Sequence, residues 1–269
     1  MNLLKEYAEK QIELAVHYLS VYTHSGNEEA LHQVRVVLKK SKAVMHYFLH
    51  EKLHVKKVTK LKKDIRNIFH TAGSIRAAQL QMQWLKKNRY LILLQTSSLK
   101  DDLSYYDELF KTDTKKSLKI LSDVKRKLTE HCSDSAGSNV LQYAIVLKQT
   151  IQLIIKNLRQ PGWHELRKTI KQLLYAYNWQ LEKDKIKLLT VKEHTYLDQL
   201  QEAIGTWHDA EDLKLWMTDQ QFFLNANPKV KVQFAKCWDK LIKEVNENET
   251  LVTTLLNNKK LPMRMARLS

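Results

Sequence analysis

Glycine, proline and cysteine are scarce in this chain: five, three and two residues among 269. Strand-rich folds need turn residues every ten positions or so, and so few glycines and prolines cannot supply them. The two cysteines, Cys132 and Cys237, form no CxxC pair and no dense framework. That excludes a disulfide scaffold and fits a reducing compartment. Uncharged apolar runs approaching about 18 residues, the length a membrane span needs, are also missing. The first residues, Met1-Asn2-Leu3-Leu4-Lys5-Glu6-Tyr7-Ala8-Glu9-Lys10, are interrupted by charges and read as an amphipathic helix, neither leader nor anchor. The expected location is the cytoplasm.

Lys, Leu, Glu, Gln and Ala dominate what remains, and these residues lose little entropy on entering a helix. Apolar residues recur at three- and four-residue spacing almost throughout. The fold class is therefore all-α. The spacing predicts helices at about 2–22, 28–51, 54–72, 74–90, 98–111, 113–131, 139–158, 161–184, 188–204, 206–224 and 228–247, with a further turn or two at 249–257. Asn27 is placed to cap the helix opened by Glu28 and Glu29. Glycines Gly73 and Gly205 read as turns between helices.

Charge is strongly one-sided: 45 basic residues against 29 acidic ones give a formal net charge of +16. An excess of that size favours anionic partners. It is concentrated in residues 1–132, which carry 25 basic and 14 acidic side chains.

A small-polar stretch, Cys132 to Asn139, divides the chain nearly in half. The division suggests an internal repeat, and one pattern does recur at an offset of 132 residues. Leu31-His32-Gln33-Val34-Arg35 is matched by Trp163-His164-Glu165-Leu166-Arg167. The same offset carries Lys39 to Lys171, Ala72-Gly73-Ser74 to Ile204-Gly205-Thr206, and Arg76 to His208. The expected organisation is one domain over 1–269, with a first helical-bundle half at 1–132 and a second at 139–258, related by pseudo-symmetry.

Projected at about 100° per residue, His32, Arg35, Lys39, Lys42 and His46 share one narrow stripe. It lies beside the apolar face Val34, Val37, Leu38, Val44, Met45 and Phe48. In the second copy His164, Arg167 and Lys171 hold that stripe, while Leu174 and Asn178 replace Lys42 and His46. On the third helix Val55, Val58, Leu61, Ile65, Ile68 and Phe69 make the apolar stripe, Lys62 and Arg66 flank it, and Lys56, Lys60 and Lys63 project to the opposite side. Arginine offers a planar fork of donors, lysine a point charge, and histidine a donor that nearby phosphate would strengthen by favouring its protonation. One helical turn rises about 5.4 Å, so such a ladder can follow a linear polyanion. No nucleophile or general base accompanies it.

These paired segments, Ala30-Leu31-His32-Gln33-Val34-Arg35-Val36 and Gly162-Trp163-His164-Glu165-Leu166-Arg167-Lys168, resemble the two signatures of the CHAD domain, the conserved histidine α-helical domain. Ala72-Gly73-x-x-Arg76 and Leu200-x-x-x-Ile204-Gly205-x-x-His208-Asp209-Ala210 resemble the family's later leucine–glycine segments. The resemblance implies two helical bundles around a basic central cavity, non-catalytic binding of inorganic polyphosphate, and association with polyphosphate granules. It implies binding by His32, Arg35, Lys39, Lys42, His46, Lys62, Arg66, Arg76, His164, Arg167, Lys168, Lys171 and His208, with no metal and no cofactor. Gln172 and Leu174 stand where the family's second copy is usually basic, so the first copy is expected to be the stronger binder.

Other readings are weaker. A nucleic-acid partner would suit the charge, yet no recognition helix, zinc finger or aromatic RNA platform is recognisable. Asp101-Asp102 with Asp107 has the wrong spacing for a diphosphate-binding metal motif. His50 with His54 has no acidic or thiol partner, and His208-Asp209 reads as charge compensation at a helix start.

Overall fold

The computed structural model describes residues 3–132, 139–157, 162–179, 188–219 and 226–257. Among them every regular element is a helix: α1 Leu3–Ser25, α2 Glu28–His50, α3 Val55–Asp64, α4 Arg66–Lys87, α5 Leu91–Thr96, α6 Leu99–Thr112, α7 Thr114–Cys132, α8 Val140–Lys156, α9 Trp163–Tyr177, α10 Val191–Asp219 and α11 Pro228–Asn257. None of these helices is long and apolar enough to cross a membrane. The parts of the expected helices at 180–184 and 220–224, and the C-terminal residues from 258, lie outside the described residues.

The chain divides into two compact units. One comprises Met1–Trp84 and Ser98–Tyr143, the other Leu85–Ser97 and Ala144–Ser269. The α5 segment belongs to the second unit although α6 and α7, which follow it in the chain, belong to the first.

In the first unit, α1 packs against α2 and α7, and α3 against α2 and α7. The α1–α2 corner follows from local chemistry. Gly26 takes φ +65°, a left-handed conformation natural to glycine, and its N–H donates to Tyr22 O at 2.7 Å to close α1. Asn27 then caps α2, its side-chain oxygen accepting from Ala30 N at 2.8 Å. Beyond the cap, the expected apolar face of α2 is buried from Leu31 and Val34 through Val37, Leu38, Val44, Met45 and Phe48. Each such side chain contributes about 1.5–3 kcal/mol by leaving water, enough to fix which side of α2 remains for the cationic stripe.

Past α2 the boundaries depart from expectation. The helix predicted over 54–72 ends at Asp64, and α4 runs without interruption from Arg66 to Lys87 with Gly73 inside it. Likewise α10 is continuous from Val191 to Asp219 and contains Gly205. A glycine weakens a helix interior without ending it. The break falls instead at Ile65, a near-helical residue (φ −82°, ψ −6°) whose N–H donates back to Leu61 O. On α3 and the start of α4, Val58, Leu61, Ile65 and Ile68 are buried. Val55 and Phe69 are not.

In the second unit, α10 packs against α9 and α11, and α5 packs on α11, where Tyr90 Oη donates to Lys236 O at 3.1 Å. A reciprocal cap starts α10: Glu193 N donates to Thr190 Oγ1 (3.2 Å), and Thr190 N to Glu193 Oε2 (2.8 Å). The other Glu193 oxygen meets Lys148 Nζ of α8 at 3.4 Å, with both side chains largely buried (4% and 13% exposed). Tyr196 Oη donates to Leu255 O, tying α10 to α11.

Candidate functional site

In the first unit the site forms where α2 faces α3 and the first half of α4. Arg35 reaches across from α2, donating through Nη1 to the carbonyl oxygen of Phe69 at 3.1 Å. Its Cζ stands 4.7 Å from the centroid of the Phe69 ring. Lys42, two turns along the same stripe, places Nζ 3.6 Å from that centroid. Phe69 is therefore left half-exposed for a reason: its face carries two cations, which the negative face of an aromatic ring attracts.

Electrostatics identifies the rest of the group. Burial lowers the Lys42 ammonium pKa to about 8, and Lys62, Arg35 and Arg66 push it in the same direction. Among the described residues, the charges that shift it are all cationic. His32 is likewise held below its ordinary value, first by burial and then by Arg76; Lys39 and Arg35 add to this and only Glu29 opposes. Thus His32, Arg35, Lys39, Lys42, Lys62, Arg66 and Arg76 meet in one electrostatic neighbourhood drawn from three helices. Arg66 also donates to His70 Nε2 at 3.4 Å on the exposed side. His46 lies half-buried one turn beyond Lys42. Lys56, Lys60 and Lys63 are exposed on α3.

The second unit repeats one part of this arrangement and alters the remainder. Arg167 reaches from α9 to α10, where its Nε donates to Gln201 O at 3.2 Å. Arg167 and Gln201 are displaced from Arg35 and Phe69 by the same 132 residues. In place of the aromatic ring there is an amide, and Leu174, at the Lys42 position, is buried. Burial and Arg167 lower the Lys171 pKa, but Asp198, Glu202 and Asp209 oppose them. The His164 and His208 rings lie edge to face with centroids 5.0 Å apart. His208 Nδ1 is 3.1 Å from Asp212 Oδ2, and that hydrogen bond raises its pKa. His164 moves the other way, lowered by burial and by His208. Lys168 is exposed and paired with Glu165 at 2.5 Å.

Two features escaped sequence reasoning. The Phe69 ring was assigned to the apolar stripe, although its partners stand on the adjacent cationic one. The two glycines were assigned to turns, whereas each lies directly under an arginine. A β-carbon built on Gly73 would overlap Nη1 of Arg35, and one on Gly205 would come within 2.5 Å of Nη2 of Arg167.

The remaining candidates have structural partners. Asp107 accepts from Tyr22 Oη at 2.6 Å and from Lys111 at 2.7 Å. Asp102 accepts from Ser98. Among the described residues no three His, Cys, Asp or Glu side chains are grouped to hold a metal ion.

Comparison with known proteins agrees with this architecture. The fold is similar to that of PptA from Streptomyces chartreusis, with a TM-score of 0.64 over 94% of this chain and 97% of that one, at 13% sequence identity. No curated protein sequence matches. The family model described as the CHAD domain matches residues 6–217, most of the chain, so this protein belongs to the CHAD-domain family.

Proposed function

We propose that this protein binds inorganic polyphosphate, without catalysis, through the cationic group of α2, α3 and α4 in its first unit. The observation that carries the reading is the environment of Lys42. Its amine is half-buried over Phe69, and the charges acting on it, Lys62, Arg35 and Arg66, are all positive. Like charges held together in a partly desolvated place raise the free energy of the empty site. A ligand with one negative charge per phosphate and only oxygen acceptors relieves that repulsion and takes hydrogen bonds from the arginine and lysine donors.

The second unit contributes less in this reading. Asp198, Glu202 and Asp209 act on Lys171 and would repel a polyanion, and no cation occupies the Leu174 position. The matched contacts of Arg35 and Arg167 with a carbonyl on the next helix, at one constant offset, support descent of the two units from a duplicated sequence.

Titration of the purified chain with long-chain polyphosphate tests the reading. Saturable binding at low salt that weakens steeply as salt rises is the expected result. DNA or RNA that polyphosphate cannot displace at matched phosphate concentration would instead point to a nucleic-acid partner.

A further inference from the structure

We propose that Gly73 is a positioning residue for the anion site, and Gly205 its counterpart in the second unit. Each lies in the middle of a helix at ordinary backbone geometry, so a turn does not require it; only Gly26 among the described glycines has a positive φ. What they share is the group above them. The nearest atoms to a β-carbon at Gly73 all belong to the Arg35 guanidinium, and those at Gly205 all belong to the Arg167 side chain. The acceptors of the two arginines, Phe69 O and Gln201 O, are each four residues before the glycine. A helix carbonyl at that position already accepts from the glycine N–H. The arginine is thus a second donor that reaches the same oxygen by lying across the bare Cα. The glycine hydrogen makes room for the guanidinium, and the carbonyl fixes its register along the helix.

In the first unit this seat holds the Arg35 charge beside Lys42 and over Phe69. A methyl group at position 73 would collide with the tip of a flexible side chain and with no backbone atom. It would therefore evict the arginine and leave α4 intact. Because alanine favours a helix interior over glycine, the eviction and the helix preference have opposite signs, and they can be separated. The binding part of this inference rests on the polyphosphate reading above; the seating part does not.

The test is a double-mutant cycle of Gly73→Ala and Arg35→Ala, read by polyphosphate affinity and by melting temperature. Gly73→Ala should weaken binding about tenfold, as expected for losing one charge-assisted contact, and lower the melting temperature. In the Arg35→Ala background the same substitution should leave affinity unchanged and raise the melting temperature. Equal effects of Gly73→Ala in both backgrounds, or wild-type affinity in Gly73→Ala, would overturn the proposal. If Gly73→Ala alone fails to fold, the comparison of Arg35→Ala with the double variant still decides: a lower melting temperature in the double variant shows that backbone packing, and not the arginine, requires the glycine. If even the wild-type chain ignores polyphosphate, the thermal cycle still reports on seating, and only the functional reading falls.

Discussion

The Lys42 amine sits 3.6 Å from the centroid of the Phe69 ring, although Arg35 also lies against that ring and Lys62 and Arg66 repel the amine. Two side chains that sequence periodicity assigns to different faces of different helices thus form the centre of the site. The ring lets these cations gather, and the lysine registers burial and their repulsion as a pKa of about 8.

Proton uptake should accompany binding near that value. An anion favours the charged amine, so a site partly deprotonated at pH 8 must gain protons when polyphosphate arrives. Affinity should be flat from pH 7 downward as far as Lys42 is concerned, and should fall as pH rises through about 8. His32, below its ordinary value because of burial, Arg76, Lys39 and Arg35, adds a second rise in affinity as pH falls below about 6.5. Calorimetry in buffers of different ionisation enthalpy measures the uptake directly; equal heats at pH 8 would remove Lys42 from the contact.

Stability should move oppositely to binding. A lysine whose folded pKa is depressed from 10.5 to about 8 contributes stability that is present above the unfolded value and lost as pH falls through the folded one. Lys42→Met should therefore raise the melting temperature at pH 7, change it little at pH 11, and weaken polyphosphate binding by about tenfold or more. Thermal melts at both pH values check the sign.

Charge placement should outweigh charge count. Arg35→Ala with Lys39→Ala should reduce affinity far more than Lys56→Ala with Lys60→Ala, because the latter pair is exposed on α3 and is not among the charges that shift Lys42 or His32. Both double variants lose two positive charges. Equal losses in a fluorescence titration would mean that overall charge, and not the cluster, carries the interaction.

In the second unit the His208–Asp212 bond should be visible by NMR. His208 is raised by that bond and His164 lowered by burial and by His208, so their titrations should separate, with His208 last to lose its proton as pH rises. Asp212→Asn should bring His208 down and let His164 rise. The raised His208 also stabilises the fold below pH 6.5, a contribution lost as pH climbs through its folded pKa.

Glu193 should be the costliest single carboxylate to remove in the second unit. Glu193→Ala deletes a reciprocal cap and leaves Lys148 buried without its partner. Losses of about 3–5 kcal/mol attend broken buried pairs, and about 1 kcal/mol attends a lost cap. Urea denaturation of Glu193→Gln, which keeps some of the capping, should fall between alanine and wild type.

Much of this architecture was legible in the sequence, and the exceptions have physical causes. The buried face of α2, its Asn27 cap and its cationic stripe all follow from helical periodicity and capping, which act within one helix. The constant offset between His32-x-x-Arg35 and His164-x-x-Arg167 was legible too. The role of the glycines was not. Composition treats glycine as punctuation, yet Gly73 and Gly205 are needed for space, and that need appears only when a second helix delivers an arginine. The same holds for Phe69, whose apolar character placed it in the core until the cations of α2 were set against it. The α3–α4 break at Ile65 left no local signal, since Ile65 is itself a good core residue and its N–H remains bonded.

The matched arginines suggest how such a protein could change its chemistry over evolutionary time. The seat consists of one backbone oxygen and one missing methyl group, and neither depends on the side chains around it. Phe69 and Lys42 in one unit correspond to Gln201 and Leu174 in the other, yet the arginine keeps its place in both. The scaffold and its ligand chemistry are thus separately mutable. On the proposed reading of a duplicated anion binder, one unit is free to change its ligand while the other keeps its own, and a designer could exploit the same freedom.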